Sequence, residues 1–409
     1  MTTTATATGD LDQRIARELD DLTRIRRDIH AHPEIRFEEH RTSRLIQHEL
    51  ARLGIAFVAG LGGETLGQGT GVLAHLPATV DRPGPCVGLR ADMDALPIAE
   101  RTGKAWASTV PGKMHACGHD GHTTILLGAA RVLAASEHRP NPVTFVFQPA
   151  EEGGGGGELM CRDACLTGGP NGDLGPGIAR MYGLHAWPGL PFGVIGTRPG
   201  PLLAATDELR VTIRGHQAHA AYPHLGADPI VAGAHIVAAA QTLASRTVSP
   251  LDSIVVTFGT FHAGTATNVI PETAVLTGTL RTLRAETRTL AKARLTELVA
   301  STARALGCEG VLEIEEGYPV TLNDPAETDR VLATAREADF ARGAVVVPEP
   351  TMGGEDFAFY ANRVPSCFYL LGLRPEDADQ MPQLHQPEFD FPDGAIAAGV
   401  EMMCRLALR

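Results

Sequence analysis

Three short apolar runs, each closed by polar residues able to do acid–base or metal chemistry, constrain this 409-residue chain more than any other feature. Val87-Gly88-Leu89 leads into Arg90-Ala91-Asp92, Val143 to Phe147 leads into Gln148 and Glu151, and Met181 to Leu184 leads into His185. A short continuous apolar run fits a strand buried on both faces, as in a parallel sheet. Between the first two runs lies Thr123 to Ala135, apolar enough for a buried helix. Strands alternating with helices predict an α/β fold whose sheet has parallel character. Upstream, Leu11, Ile15, Leu19, Leu22, Ile25 and Ile29 recur at three- and four-residue steps, which predicts an amphipathic helix. A second helix is expected from about Glu38 to Leu53, stopped by Gly54.

A different texture occupies about Pro199 to Gly317. It reads as a strand (Glu208 to Arg214), a helix (Asp228 to Ser245), two strands (Ile254 to Phe261 and Ala274 to Thr282), a helix (Glu286 to Leu306) and a strand (Val311 to Glu315). Asp228 is placed to cap the first of these helices, with Pro229 at its first position. The βαββαβ order predicts a small α+β, ferredoxin-like layer of one sheet and two helices. It reads as an insertion, which divides the chain into residues 1–198, 199–316 and 317–409, the outer two segments forming one domain.

Composition narrows the partners. With 35 Lys plus Arg against 48 Asp plus Glu the formal charge is −13, and there is no basic run, which disfavours nucleic acid or an anionic membrane. No apolar stretch reaches the roughly 18 residues needed to span a bilayer. The start, MTTTATATGD, has no charged and apolar leader pattern and reads as a short unstructured tail. Seven scattered cysteines fit reduced thiols in a cytoplasm better than a disulfide framework. Glycine supplies 45 residues, about 11% against a usual share of about 7%, which predicts many tight turns and close backbone approaches.

The densest group of ligand-type residues is Met114-His115-Ala116-Cys117-Gly118-His119-Asp120-Gly121-His122, just before the buried helix. A helix N-terminus favours a thiolate, so Cys117 is expected to ionise near neutral pH and to act as a metal ligand or a nucleophile. The second group is Gln148-Pro149-Ala150-Glu151-Glu152-Gly153. Two adjacent carboxylates at a strand end can divide the labour, one holding a metal and the other moving protons. Asp92, Asp94, Glu151, Glu152 and His185 all fall at or just after inferred strand ends, so the fold is expected to gather them at one sheet edge. The run Gly153 to Gly157 is read as flexible backbone beside the carboxylates, since no Lys-Ser/Thr follows it as a phosphate loop requires. Cys161 and Cys165 lack a second pair nearby, which disfavours a structural zinc.

Taken together, the chain resembles the M20 metallopeptidase and amidohydrolase family. The match is to the M20D branch of hippurate hydrolases, N-acyl-amino-acid amidohydrolases and auxin-conjugate hydrolases. The residues that carry it are His32-Pro33-Glu34-Ile35, Leu89 through Pro97, His115 through His122, Gln148 through Glu152, Gly183-Leu184-His185, Gly215 through Pro223, Thr267 through Pro271, Met352 through Phe357 and Leu384-His385, in order from about residue 20 to the end. The resemblance implies a di-metal, zinc-peptidase-like catalytic domain with an inserted lid or dimerisation domain. It implies two divalent ions bridged by Cys117, with His119, Glu152, His185 and His385 as further ligands. Imidazole, carboxylate and thiolate suit zinc, manganese, cobalt or nickel. Glu151 would be the general base and Asp94 a carboxylate that orients a ligand.

The implied reaction is hydrolysis of the amide of an N-acyl amino acid, Glu151 taking a proton from the attacking water and returning it to the departing amine. His219 matches a lid histidine that reaches the tetrahedral oxygen across a dimer. Arg281 resembles a lid arginine that grips the substrate carboxylate, Asn268 is placed to fix the same group or the lid loop, and Gly353 would let substrate pass close to the backbone. A homodimer through the inserted domain, or a tetramer, follows from the same resemblance. A dipeptidase, an N-carbamoyl-amino-acid hydrolase, an inactive binding protein on the same scaffold and a metal-free cysteine hydrolase are the competing readings. His30, His32 and His40 are expected to be structural or surface residues, and His122 to pack or hydrogen-bond at the helix start. Met93 and Trp187 are expected in the core or pocket wall, and Glu355 and Asp356 as pocket residues or a helical turn.

Overall fold

The computed structural model describes residues 4–409, with side chains from residue 11 onward; residues 1–3 of the expected tail lie outside the described residues, and Thr4 to Asp10, expected to be unstructured, instead begin the helix Thr4–Ala31. The chain forms two compact units. One runs to Leu202 and takes in Leu322–Glu349 and Asp356–Arg409; the other is Leu203–Thr321 with Pro350–Glu355.

The first unit is built on an eight-stranded mixed sheet. Its order is Ala56–Leu61, Gly71–Leu76, Val143–Gln148, Val87–Asp92, Arg180–Pro191, Ser366–Arg374, Ile195–Thr197 and Ala344–Val346. The predicted apolar runs are its centre. Val87–Asp92 lies parallel to both Val143–Gln148 and Arg180–Pro191, and Ser366–Arg374 lies parallel to Arg180–Pro191. Every residue of Val87–Asp92 and Val143–Gln148 is buried. Register carries the consequence for chemistry. Asp92 is opposite Gln148, and Arg90 is opposite Gly183, which sets Asp92 and His185 at one level. The strand holding His185 runs on to Pro191, so that histidine lies within a strand and not at or just after its end as expected.

The helix His119–Ala134 packs on these strands and against Ala395–Leu408, with Thr4–Ala31 beside both. It is buried from His119 to Leu133, as its apolar composition predicts. Ile15, Leu22, Ile25 and Ile29, four of the six periodic positions, are fully or almost fully buried; Leu11 and Leu19 pack at the core's margin. The second predicted helix is His40–Arg52, with Gly54 at φ +67° just past its end.

The second unit is a four-stranded antiparallel sheet in the order Ile254–Ala263, Thr273–Thr282, Ala205–Arg214 and Glu309–Glu316, with helices Pro229–Ala240 and Ala285–Ala305 packed against it. Asp228 caps the first helix, accepting the Ile230 and Val231 amides. That helix ends at Ala240, short of the expected Ser245, and the chain continues as a π-helical turn over Leu243–Thr247. The fold is therefore α/β with an inserted α+β unit. Among the described residues no helix is long and apolar enough to cross a membrane.

Candidate metal centre

Five side chains from four segments of the first unit meet at the C-terminal edge of its central strands. Cys117 Sγ lies 3.4 Å from His185 Nε2, and His385 Nε2 lies 3.1 Å from Glu152 Oε1. Cys117, His119 and His185 present donor atoms within 4.8 Å of one another, and so do Cys117, Glu152 and His385. Cys117 thus belongs to two triads, the arrangement a shared bridging ligand requires. His119, Glu151 and Glu152 form a third such group.

His119 and His185 are each oriented by the other ring nitrogen. His119 Nδ1–H donates to the Asp94 carbonyl at 2.9 Å and faces Asp94 Oδ1 at 3.3 Å, which leaves Nε2 buried with no hydrogen-bond partner. His185 Nδ1–H donates to the Ala186 carbonyl at 2.8 Å, turning Nε2 toward Cys117. Burial and the neighbouring His122 push His185 down to about 3, so its ring is neutral. An imidazole held in one tautomer with a bare inward nitrogen is a metal ligand in waiting. His385 sits at φ +65°, costly for a residue with a side chain, and its amide is held by the Ala116 carbonyl at 2.8 Å.

The pKa shifts correct the reading of Cys117. Burial and the charges of Glu152, Glu151 and Asp92 push its thiol well above the ordinary value, and these outweigh the N-terminus of the helix that Gly118 caps. The thiolate needs a cation beside it. His119 reports the same excess of negative charge: burial would lower it, but Asp92, Asp94 and Glu152 raise it to about 10. A buried thiol, an unpartnered buried imidazole nitrogen and clustered carboxylates fit divalent cations of the zinc, manganese, cobalt and nickel class.

The two glutamates are set by backbone. Ala150 precedes them at φ 53°, ψ 47°, and Asp94 accepts the Glu151 and Glu152 amides at 3.0 and 2.9 Å. The glycine run takes up backbone angles that residues with side chains adopt only at a cost. It forms a kinked turn over Glu151–Gly154, with Glu152 at φ −70°, ψ 69° and Gly153 and Gly155 left-handed, followed by the short helix Gly156–Arg162. Gly156 is pressed so closely on the Pro149 carbonyl that a Cβ would fall 1.8 Å from the oxygen.

Asp92 and His122 lie where the sequence placed them, and the role of Arg90 escaped that reading. Asp92 accepts from His122 Nδ1–H at 2.6 Å, and His122 Nε2 accepts the Ala186 amide at 2.8 Å, which ties the strand beside His185. Burial pushes Asp92 up, but the charges of His119 and Arg90 hold it well below the usual carboxylate range. Arg90 reaches Asp92, Gln148 and Asp356 at 2.6, 2.9 and 2.8 Å. Asp356 is therefore a fully buried partner of Arg90 and not a pocket wall, while Glu355 belongs to the second unit. His30 is buried between Asp120 and Glu100, Met93 is buried, and Trp187 lies edge-on to His185 with ring centroids 6.3 Å apart.

His219, Asn268, Arg281 and Gly353 all lie in the second unit. His219 is exposed in the short strand Ala218–His219, paired with Val269–Ile270, and its Nδ1 accepts the Ala221 amide at 3.0 Å. Arg281 is half-buried within Thr273–Thr282, next to Gly354. A side chain at Gly353 would meet nothing closer than Thr351 Oγ1 at 3.7 Å, so crowding does not require glycine there.

Histidine, cysteine and carboxylate donors grouped around one shared sulfur at the strand ends of an α/β sheet define a metal-dependent hydrolase. The family model described as peptidase family M20/M25/M40 matches residues 88–409. The N-acetyl-L-cysteine deacetylase of Bacillus subtilis (strain 168) is 38% identical over 376 residues, 92% of this chain and 84% of the relative. The N-acetyldiaminopimelate deacetylase of Enterococcus faecalis (strain ATCC 700802 / V583) is 38% identical over 389 residues, 94% of this chain and 96% of the relative. Among solved structures, the Bacillus subtilis YXEP protein, described as a dinuclear metal binding peptidase from the M20 family, superposes with a TM-score of 0.81 at 30% identity, covering 96% of this chain and 98% of that one. The chain belongs to peptidase family M20/M25/M40.

Proposed function

We propose that the protein is a metal-dependent amidohydrolase that releases a carboxylic acid and a free amino acid from N-acyl amino acids, with acetyl and benzoyl or other aryl-acyl groups as the acyl class. The observation that carries this is the pair of donor triads sharing Cys117, with Glu151 beside Glu152. Cys117, His119 and His185 would hold one divalent cation, and Cys117, Glu152 and His385 the other. Such ions would supply an acidified water and polarise the scissile carbonyl. Glu151 takes the proton of the attacking water and delivers it to the amine nitrogen as the C–N bond breaks. Asp94 keeps the His119 ring and both glutamate amides in place through this exchange.

In this reading the inserted unit, residues 199–316, acts as a lid and as the dimer contact, in a homodimer or tetramer. His219 donates to the tetrahedral oxygen across that dimer, and Arg281, Asn268 and Gly353 receive the amino-acid carboxylate. The seven free cysteines support a reducing, cytoplasmic compartment. The deacetylase names of two relatives support an acetyl-amino-acid substrate. The test is turnover of a panel of N-acetyl amino acids, N-benzoyl amino acids and dipeptides, with metal content measured before and after chelation. Hydrolysis of the N-acyl compounds should vanish with the metal and return when it is restored. Activity that survives complete metal removal overturns the proposal.

A further inference from the structure

Glu39 is a fully buried acid at the N-cap of His40–Arg52, yet its side chain makes no cap bond to that helix. The cap is supplied from elsewhere: the Glu34 carboxylate accepts the Arg41 amide at 2.8 and 2.9 Å and the Thr42 amide at 2.8 Å. Glu39 is thereby free to act at a distance. Its Oε1 accepts the Ala150 amide at 2.9 Å, and its Oε2 accepts the hydroxyl of buried Thr70 at 2.6 Å.

Ala150 is the residue that needs holding. It sits in the left-handed region at φ 53°, where an alanine pays a steric cost that glycine does not, and it turns the chain directly into Glu151. Its amide is the first of three successive amides taken by buried carboxylates, since Asp94 accepts the next two. Ala150 also accepts the Gly156 amide at 3.2 Å, so its peptide groups are fixed on both sides. An acid placed in the interior, with no ion pair to a cation among the described residues, costs free energy, and it persists here because an otherwise unpaired amide and a strained turn are held by it.

We propose that Glu39 is a positioning residue for Glu151, fixing through the Ala150 amide the left-handed turn that aims the general base. The proposal rests on reading Glu151 as that base. Glu39 holds the amide that directly precedes Glu151, whereas Glu152 is held by Asp94 at its amide, by Arg36 at its carbonyl and by His385 at its carboxylate, so loss of Glu39 should move the base more than the metal ligands.

The test uses the full-length protein loaded with Mn2+ and an N-acetyl amino acid. Glu39→Ala should lower kcat by about 10- to 100-fold while KM and Mn2+ affinity, measured by titration of the metal alone, change by less than about threefold. Glu39→Gln, which keeps an acceptor for Ala150, should recover most of kcat. Glu39→Asp, which keeps the charge but falls one carbon short, should behave like Glu39→Ala and serves if the alanine variant does not fold. Ala150→Gly in the Glu39→Ala background should restore part of the loss by relieving the left-handed strain. Loss of Mn2+ affinity in step with kcat, or a glutamine variant as impaired as the alanine one, overturns the proposal. If the wild-type protein hydrolyses no N-acyl amino acid, the amidohydrolase reading fails separately. Amide exchange then judges Glu39: faster exchange at residues 150–152 in Glu39→Ala supports its hold on the turn, and unchanged exchange there overturns it.

Discussion

Asp94 grips His119 with two oxygens, its main-chain carbonyl at 2.9 Å and its Oδ1 at 3.3 Å from the ring Nδ1. The same carboxylate accepts the amides of Glu151 and Glu152. One residue therefore sets both an imidazole ligand and the turn that presents the glutamates. Asp94→Ala is expected to weaken Mn2+ binding by about 10- to 100-fold and to lower kcat with it. Asp94→Asn should fall between, because its amide group turns a donor toward one of the two backbone amides. Isothermal titration with Mn2+ reads the affinity directly, and an alanine variant that binds as tightly as wild type would show that the main-chain carbonyl alone orients His119.

Glu151 and Glu152 are neighbours with separate tasks in the proposed reaction, and substitution should separate them. Glu151→Gln should reduce kcat by about 100-fold or more, the usual scale for a lost general base, with metal content nearly intact. Glu152→Ala should instead release metal, since Glu152 is the carboxylate within reach of Cys117 and His385. Elemental analysis of both purified variants decides the matter. Metal lost from Glu151→Gln and retained by Glu152→Ala would mean the roles are exchanged.

Much of this arrangement was legible in the sequence where the signal was local. The apolar runs ending at Leu89, Phe147 and Leu184 became central strands because nothing but a two-sided interior accommodates them, and the donor residues following them were delivered to one edge. What stayed hidden depends on contacts between distant positions. Arg90 meets Asp356 across 266 residues, and Glu39 meets Ala150 across 111, so neither pairing leaves a spacing that periodicity or a motif could reveal. The surroundings of Cys117 were hidden for a related reason: the helix N-terminus is visible in sequence, whereas the carboxylates that push its thiol up are assembled only by the fold.

The buried pair His30 and Asp120 makes stability sensitive to alkaline pH. Burial would lower His30, but the hydrogen bond and charge of Asp120, with Glu100 behind them, raise it to about 9 from an ordinary 6.5. A raised histidine contributes stability that is complete below about 6.5 and is lost as pH rises through about 9. At about 1.4 kcal/mol per unit, the loss is at most about 3 kcal/mol. Urea unfolding at several pH values between 6.5 and 9.5 should show this decline in the wild type and a flatter profile in His30→Gln. Parallel profiles would mean the pair is not charged in the folded protein.

Gly121 and Gly128 lie two turns apart in the helix His119–Ala134, and both lack space for a methyl group. A Cβ at Gly121 would fall 2.5 Å from two ring atoms of Phe391, which is fully buried; at Gly128 it would fall 2.6 Å from Val400 and 2.8 Å from Leu22. Alanine favours a helix by about 1 kcal/mol over glycine, but forced overpacking costs about 1–3 kcal/mol. Both alanine variants should therefore be destabilised, by an amount on the order of 1 kcal/mol. Their effect on the metal centre should differ. Gly121 adjoins the turn that carries Cys117 and His119, so displacing it from Phe391 moves two ligands, whereas Gly128 is remote from them. Gly121→Ala should lose Mn2+ affinity as well as stability, and Gly128→Ala should lose stability alone. Equal Mn2+ affinity in the two variants would show that the helix start absorbs the displacement without moving its ligands.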